Sequence, residues 1–237
     1  AAILAQGRPV VLPEPRAGCA MADMVDVPGL EAMKAQHPDA VVVSYVNTTA
    51  AVKAISDICC TSANASRVVE SIEPDRQIIF TPDVNLGSWV SRQTGRDLIL
   101  WPGFCPTHHL LEPADVDRAR SEHPAAKVVV HPEAPPEVAD MADAVESTSG
   151  MIRFAGESDA TEFIVGTEVG LIYPLAQKYP GKTFYPASDK MICPDMKVIT
   201  PKDILTCLQE MSGQVKVPEE IRVPALAAVE RMIALSR

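Results

Sequence analysis

Six short runs of apolar and β-branched residues punctuate the chain. They are "AVVVSYVN" (40–47), "RQIIF" (76–80), "RDLILW" (96–101), "AKVVVHP" (126–132), "EFIVG" (162–166) and "KTFYP" (182–186). Their length and composition predict β-strands. Between them apolar residues recur at helical spacing. "GLEAMKAQH", "SANASRVVESI", "NLGSWVSRQ", "PADVDRARSEH" and "VGLIYPLAQKY" are the predicted helices. Strand and helix in alternation predict an α/β fold with mostly parallel sheets. Near the C-terminus, "PKDILTCLQEM" groups Ile204, Leu205, Leu208 and Met211 on one side of a helix, with Cys207 in its core. "PEEIRVPALAAVERMIALSR" reads as a terminal amphipathic helix with Leu226, Val229, Met232, Ile233 and Leu235 on its apolar side.

The pattern repeats. "PGLEAMKAQHPDAVVVSYVNTTA" aligns with "PADVDRARSEHPAAKVVVHPEAP". Val128 lies 87 positions after Val41, and Thr148-Ser149 lie 87 after Thr61-Ser62. Cys105 lies 86 after Cys19, and Cys193 lies 88 after Cys105. A period of about 87 residues suits one small α/β unit. A unit ending at Cys19 is then short by about 68 residues, so the first unit is expected to be incomplete.

Composition narrows the function classes. Of 237 residues, 47% are hydrophobic, enough for a globular core. The 21 basic and 31 acidic side chains give a net charge of −10, which argues against nucleic acid or an anionic membrane as partner. No apolar run approaches the roughly 18 residues of a membrane span. The N-terminal stretch lacks the layout of a signal peptide, which favours the cytoplasm. In such a reducing compartment the six cysteines are thiols, packing residues or metal ligands.

Cys19, Cys105 and Cys193 each follow a predicted strand and a proline-containing loop, one per repeat. Three thiols brought together by pseudo-threefold symmetry point to a metal centre. A closed structural zinc site takes four ligands. A simple electron-transfer [4Fe–4S] cluster takes four cysteines. With three, one iron keeps an open position and can act as a Lewis acid. Cys59, Cys60 and Cys207 read as packing residues. His108, three positions after Cys105, reads as a group supporting the metal ligands. His37 and His123 occupy matching helix ends.

"YVN" and "HPE" occupy matching strand ends in two repeats, where ligand groups gather in parallel α/β sheets. His131 and Glu133 form an acid/base pair, and Tyr45 adds a phenol. The residues alone leave open a second reading, that Tyr45 and His131 are buried groups with satisfied hydrogen bonds. "TSANASRVV" and "STSGMIRF" place Ser62, Asn64, Thr148 and Ser149 where a helix begins, suited to an anion or to ordinary N-capping. On this basis a catalytic metal centre, a non-catalytic iron–sulfur or zinc-binding α/β protein, and a metal-free binding protein all stand.

Longer motifs carry a family resemblance. "AGCAMADM" (17–24), "SYVNTTAAVKAISDICCTSANASRVV" (44–69), "TPDVNLGSWVSRQTG" (81–95), "GFCPTHH" (103–109), "VVVHPEAPPEVADMADAVESTSGMI" (128–152), "FIVGTEVGLI" (163–172) and "CPDMK" (193–197) resemble the A-type quinolinate synthases of NAD biosynthesis. The resemblance implies three pseudo-threefold-related α/β/α units with parallel sheets around a central cavity, the first unit incomplete. Residues 1–27 would be its remnant, with 197–237 packing back on it. Residues 28–112 and 113–196 would be the second and third units. It implies a [4Fe–4S] cluster on Cys19, Cys105 and Cys193. It implies substrate contacts at Tyr45, Asn47, Ser62, His131, Glu133 and Thr148, with Glu133, His131 and Tyr45 moving protons. The implied reaction condenses iminoaspartate with dihydroxyacetone phosphate, releasing phosphate and two waters. A functional link to L-aspartate oxidase or aspartate dehydrogenase follows, and no nucleic acid or membrane partner. Two departures stand out. Glu146 replaces a usual glycine before the Ser-Thr pair, and Ala134 follows "HPE" where a cysteine is common. The family's earliest substrate-holding histidine and serine have no counterpart here, so little turnover is expected from these 237 residues alone.

Overall fold

The computed structural model describes residues 1–5 and 7–235. Eight strands form two parallel four-stranded sheets. The first holds β1 (Val41–Tyr45), β2 (Ile58–Cys60), β3 (Ile78–Thr81) and β4 (Ile99–Leu100), in the order β2-β1-β3-β4. The second holds β5 (Lys127–Val130), β6 (Ala144–Val145), β7 (Glu162–Gly166) and β8 (Thr183–Pro186), in the order β6-β5-β7-β8. The identical order realises the repeat as an α/β fold of repeated units.

The strand registers sharpen its period. Val43 pairs with Ile58 and Val129 with Ala144, each 86 positions on. The side chain of Asp57 accepts the Val42 N–H at 2.8 Å, and that of Asp143 accepts the Val128 N–H at 2.8 Å. Val41 therefore corresponds to Lys127, one residue before the Val128 of the sequence alignment. Tyr45 corresponds to His131 and Asn47 to Glu133.

Helices cover both faces of each sheet, which is why the strands read as unbroken apolar runs. On the first sheet, Val43, Ile78 and Phe80 pack against α3 (Ala65–Glu70) and α4 (Val84–Thr94). The opposite face sets Val42 and Ile79 against Leu30 of α1 (Val27–Gln36) and Val52 of α2 (Ala50–Ala54). On the second, Val128, Val130 and Ile164 meet α6 (Pro113–Glu122) and α7 (Pro136–Ala139). Val129, Phe163 and Val165 meet α8 (Thr148–Glu157) and α9 (Ile172–Lys178). Between the sheets, Trp89 of α4 packs into the second core, and Arg92 pairs with Asp140 at 2.5 Å.

One short helix, α5 (Pro106–His109), stands beside the strand ends, and two longer ones, α10 (Pro201–Glu210) and α11 (Glu219–Leu235), form the tail. The tail meets the N-terminal segment through Leu12 N–H to Gly213 O and Val215 N–H to Val10 O, both 2.9 Å. Its last helix, α11, lies mainly on α2, β2 and α3, where Ala228, Val229 and Met232 join the first core. The apolar row on α10 departs from expectation. Cys207 is buried, but Ile204, Leu205, Leu208 and Met211 are exposed. Among the described residues no helix is long and apolar enough to cross a membrane.

Candidate active site

One cavity of about 600 Å³ lies beyond the C-terminal ends of β1 and β5. The nine residues that the resemblance implies line it, Cys19, Cys105, Cys193, Tyr45, Asn47, Ser62, His131, Glu133 and Thr148, and so does His108, whereas Asn64 and Ser149 are not among its lining. The two strand-end motifs arrive there because both sheets run parallel and end at the same side.

Three loops carry the cysteines. Cys105 N-caps α5, and Pro106 at the first helical position fixes the turn. Cys193 precedes a 3₁₀ turn at Asp195–Lys197. The Ala20 N–H donates to Asp195 Oδ2 at 3.3 Å, joining the Cys19 and Cys193 loops. Asn47 Nδ2 approaches Cys19 Sγ at 3.8 Å. All three cysteines are half-buried free thiols, whereas Cys59, Cys60 and Cys207 are buried elsewhere. Among the described residues no fourth cysteine lines the cavity. Three soft donors on one cavity, with no fourth, fit a cluster that keeps one iron open.

The acid–base groups stand beside Cys105, whose Sγ lies within 4.8 Å of a Glu133 carboxylate oxygen. His131 Nε2 lies 3.2 Å from Ser62 Oγ, while His131 Nδ1 accepts the Glu133 N–H at 3.3 Å. The Tyr45 hydroxyl is hydrogen-bonded to Ser62 as well. His108 bridges the two sets. Its Nδ1 is 3.0 Å from Glu133 Oε2 and 3.1 Å from Cys105 Sγ, and its Nε2 is 2.8 Å from Thr167 Oγ1. The His108 and His131 rings stack at 4.4 Å.

Burial and charge set the protonation states. Burial lowers His131 below the usual imidazole range, against the pull of the Glu133 charge. Burial works to raise the Glu133 carboxyl, but His131 and the hydrogen bond from His108 prevail and hold it well below the usual range. Burial, then the Glu133 charge, pushes the Tyr45 phenol and the Cys105 thiol upward. At neutral pH the apolar walls thus face an ionised Glu133, a neutral His131 and a protonated Tyr45.

Thr148 is the first residue of α8, and the cap is its neighbour Ser147, whose side chain accepts the Gly150 N–H at 3.2 Å. Glu146 does not disturb this turn. Its N–H keeps the ladder bond to Val130 O at 2.9 Å, and its side chain lies over Gly150, where a Cβ would stand 2.1 Å from Oε2.

Four buried polar residues in or beside the site were not singled out from the sequence, although they fall within the motifs at 81–95 and 163–172: Asp83, Asn85, Thr167 and Glu168. Asn85 Nδ2 donates to the Glu133 carbonyl at 3.1 Å, which ties the unit of the first sheet to the acid–base loop of the second sheet's unit. A spacing pattern does not reveal such residues, because each has a partner far away in sequence.

The sequence model of the family described as "Quinolinate synthetase A protein" matches residues 1–234. The chain belongs to the quinolinate synthetase A family. Among its relatives, the quinolinate synthase of Desulforudis audaxviator is 54% identical over 99% of this chain and 78% of the relative. That of Thermodesulfovibrio yellowstonii is 53% identical, with the same shares covered. Quinolinate synthase 2 of Methanosarcina acetivorans is 50% identical over all of this chain and 76% of the relative. As a member of the quinolinate synthetase A family, the chain is that of an enzyme.

Proposed function

We propose that this protein condenses iminoaspartate with dihydroxyacetone phosphate to quinolinate, phosphate and two waters, in NAD biosynthesis. The convergence of three cysteines and six polar residues on one cavity is the observation that carries the reading. Cys19, Cys105 and Cys193 are the residues that would hold a [4Fe–4S] cluster. When bound, the cluster supplies an iron with an open coordination position, a Lewis acid for a substrate carboxylate or nitrogen.

The chain's own groups account for the proton transfers. Ionised Glu133 is the base for carbon- and nitrogen-bound protons, and its low position makes it ready at neutral pH. Neutral His131 passes a proton between its Nε2 and the Ser62 hydroxyl. Tyr45, held protonated, donates to an oxygen that leaves as water. Asn47 and Thr148 bind carboxylate or phosphate oxygens, and the N-terminus of ten-residue α8 favours their charge.

Anaerobic incubation of the full chain with iron and sulfide is expected to yield about four irons per chain and, after chemical reduction by one electron, the EPR spectrum of the reduced cluster. Cys105→Ala is expected to lose both. No cluster in the wild type, or an undiminished one in Cys105→Ala, sinks the reading. Whatever quinolinate forms from the two substrates should fall roughly 100-fold or more in Glu133→Gln. Unchanged formation removes Glu133 from its role.

A second reading, a non-catalytic metal protein, rests on one specific observation. The ligand atoms of Cys105, His108 and Glu133 lie within 4.8 Å of one another, a donor set that suits zinc. On that reading His108→Ala abolishes metal binding, whereas Cys19→Ala and Cys193→Ala leave it intact.

A further inference from the structure

The loop that follows the third strand of each sheet is built alike. After β3 stands Asp83, and after β7 stands Glu168. Both are buried carboxylates, and both N-cap the next turn. Asp83 Oδ1 accepts the Leu86 N–H at 2.7 Å, and Glu168 Oε2 accepts the Gly170 N–H at 2.8 Å. The next residue in each case donates its N–H to a cysteine loop. Val84 donates to Gly103 O at 2.8 Å and Val169 to Met191 O at 2.9 Å. Those two acceptors stand two residues before Cys105 and two before Cys193.

A cap uses one carboxylate oxygen. The second oxygen goes to the cysteine loop in both units. Asp83 Oδ2 accepts the N–H of Cys105 itself at 2.7 Å. Glu168 Oε1 pairs with Lys197 Nζ at 2.8 Å, on the turn that follows Cys193. That same turn carries Asp195, whose Oδ2 accepts the Ala20 N–H beside Cys19. We infer that Asp83 and Glu168 are equivalent positioning residues that hold the cysteine-bearing loops in place to receive a metal cluster. The inference rests on the reading of Cys19, Cys105 and Cys193 as its ligands.

The physical reason is pre-organisation: thiols on separate loops that must meet one cluster cost conformational entropy to align. A buried carboxylate that holds two segments, through backbone N–H groups at Asp83 and through the Lys197 ammonium at Glu168, fixes their spacing before metal arrives.

Asp83→Asn and Glu168→Gln test this. Each keeps an oxygen for the helix cap and places an amide where the second oxygen was. In the reconstituted full chain, each variant is expected to lose its cluster EPR signal at a chelator concentration roughly 10–100-fold lower than the wild type. The melting midpoint of the metal-free chains should move by less than about 4 °C. Glu168→Gln with Lys197→Met should be no worse than either alone, since the two form one contact. Equal chelator resistance in wild type and variants overturns the inference, and so does a loss matched by a collapse in melting midpoint. Hydrogen exchange needs no variant. The Cys105 N–H of the metal-free wild type should be strongly protected, and exchange at the unfolded rate overturns the Asp83 clamp. A wild type that takes up no cluster overturns the ligand reading and this inference together.

Discussion

The chemistry of individual residues here is decided by what burial does to charge. Glu133 and His131 share one apolar wall, yet they are pushed to opposite outcomes, ionised acid and neutral base, by the partners each can reach. Packing cysteines follow the same rule with a different consequence. Burial pushes the Cys59 thiol up to about 11, with Lys53 opposing, and Cys60 rises too. A raised folded value means that the native state keeps its proton while the unfolded chain has already lost it. The resulting stability is complete below about pH 9 and is lost as pH climbs toward 11. Cys59→Ala is therefore expected to reduce the alkaline loss by about 2 kcal/mol. Urea titrations from pH 8 to 11 measure it, and parallel curves for the two proteins would refute it.

At the scale of elements, each unit uses one aspartate to secure its first strand. Asp57 and Asp143 turn back to cap the N–H of Val42 and Val128 at the same distance. Removing either leaves a strand N–H without its partner in a partly buried setting. Asp57→Ala is expected to cost about 1–3 kcal/mol by denaturant unfolding. Asp143→Ala should cost at least as much, because it also pairs with Lys127 at 2.8 Å. The last helix contributes in another way. Met232 of α11 is buried in the first core, so Met232→Ala should cost about 2 kcal/mol or more. A loss below about 0.5 kcal/mol would mean that α11 docks without that contact.

Two like units, each with its own sheet, border a shared cavity and meet at an apolar contact made by Trp89. The surface of the molecule is not uniform. Ile204, Leu205 and Leu208 on α10 lie exposed in a row, with Met211 beside them. Single exposed apolar residues are ordinary, but a clustered row favours association. Leu205→Glu with Leu208→Glu should lower the self-association of the 237-residue chain in light scattering. Because both side chains face solvent, its melting midpoint should stay within about 2 °C. A cooperative loss of folding in the double variant would show that the row is covered.

Much of this was legible before any coordinates. Six of the eight strands announce themselves as apolar runs, because a strand covered on both faces has no room for polar alternation. β2 and β6 did not, since two or three residues such as Ile58–Cys60 are too few to show a pattern. The regular spacing of Cys19, Cys105 and Cys193, and the paired strand ends "YVN" and "HPE", picked out the residues that line the cavity. These features repeat along the chain, and a repeat is a property of sequence. Tertiary structure alone decided the offset of 86 through the first two strands of each sheet, the exposure of α10, and the docking of α11 on α2, β2 and α3. It alone brought Asp83 to Cys105, Asn85 to Glu133 and His108 between Cys105 and Glu133. The reason is the reach of each interaction. Periodic burial is written residue by residue, whereas a hydrogen bond between distant loops exists only once the sheets have set those loops side by side.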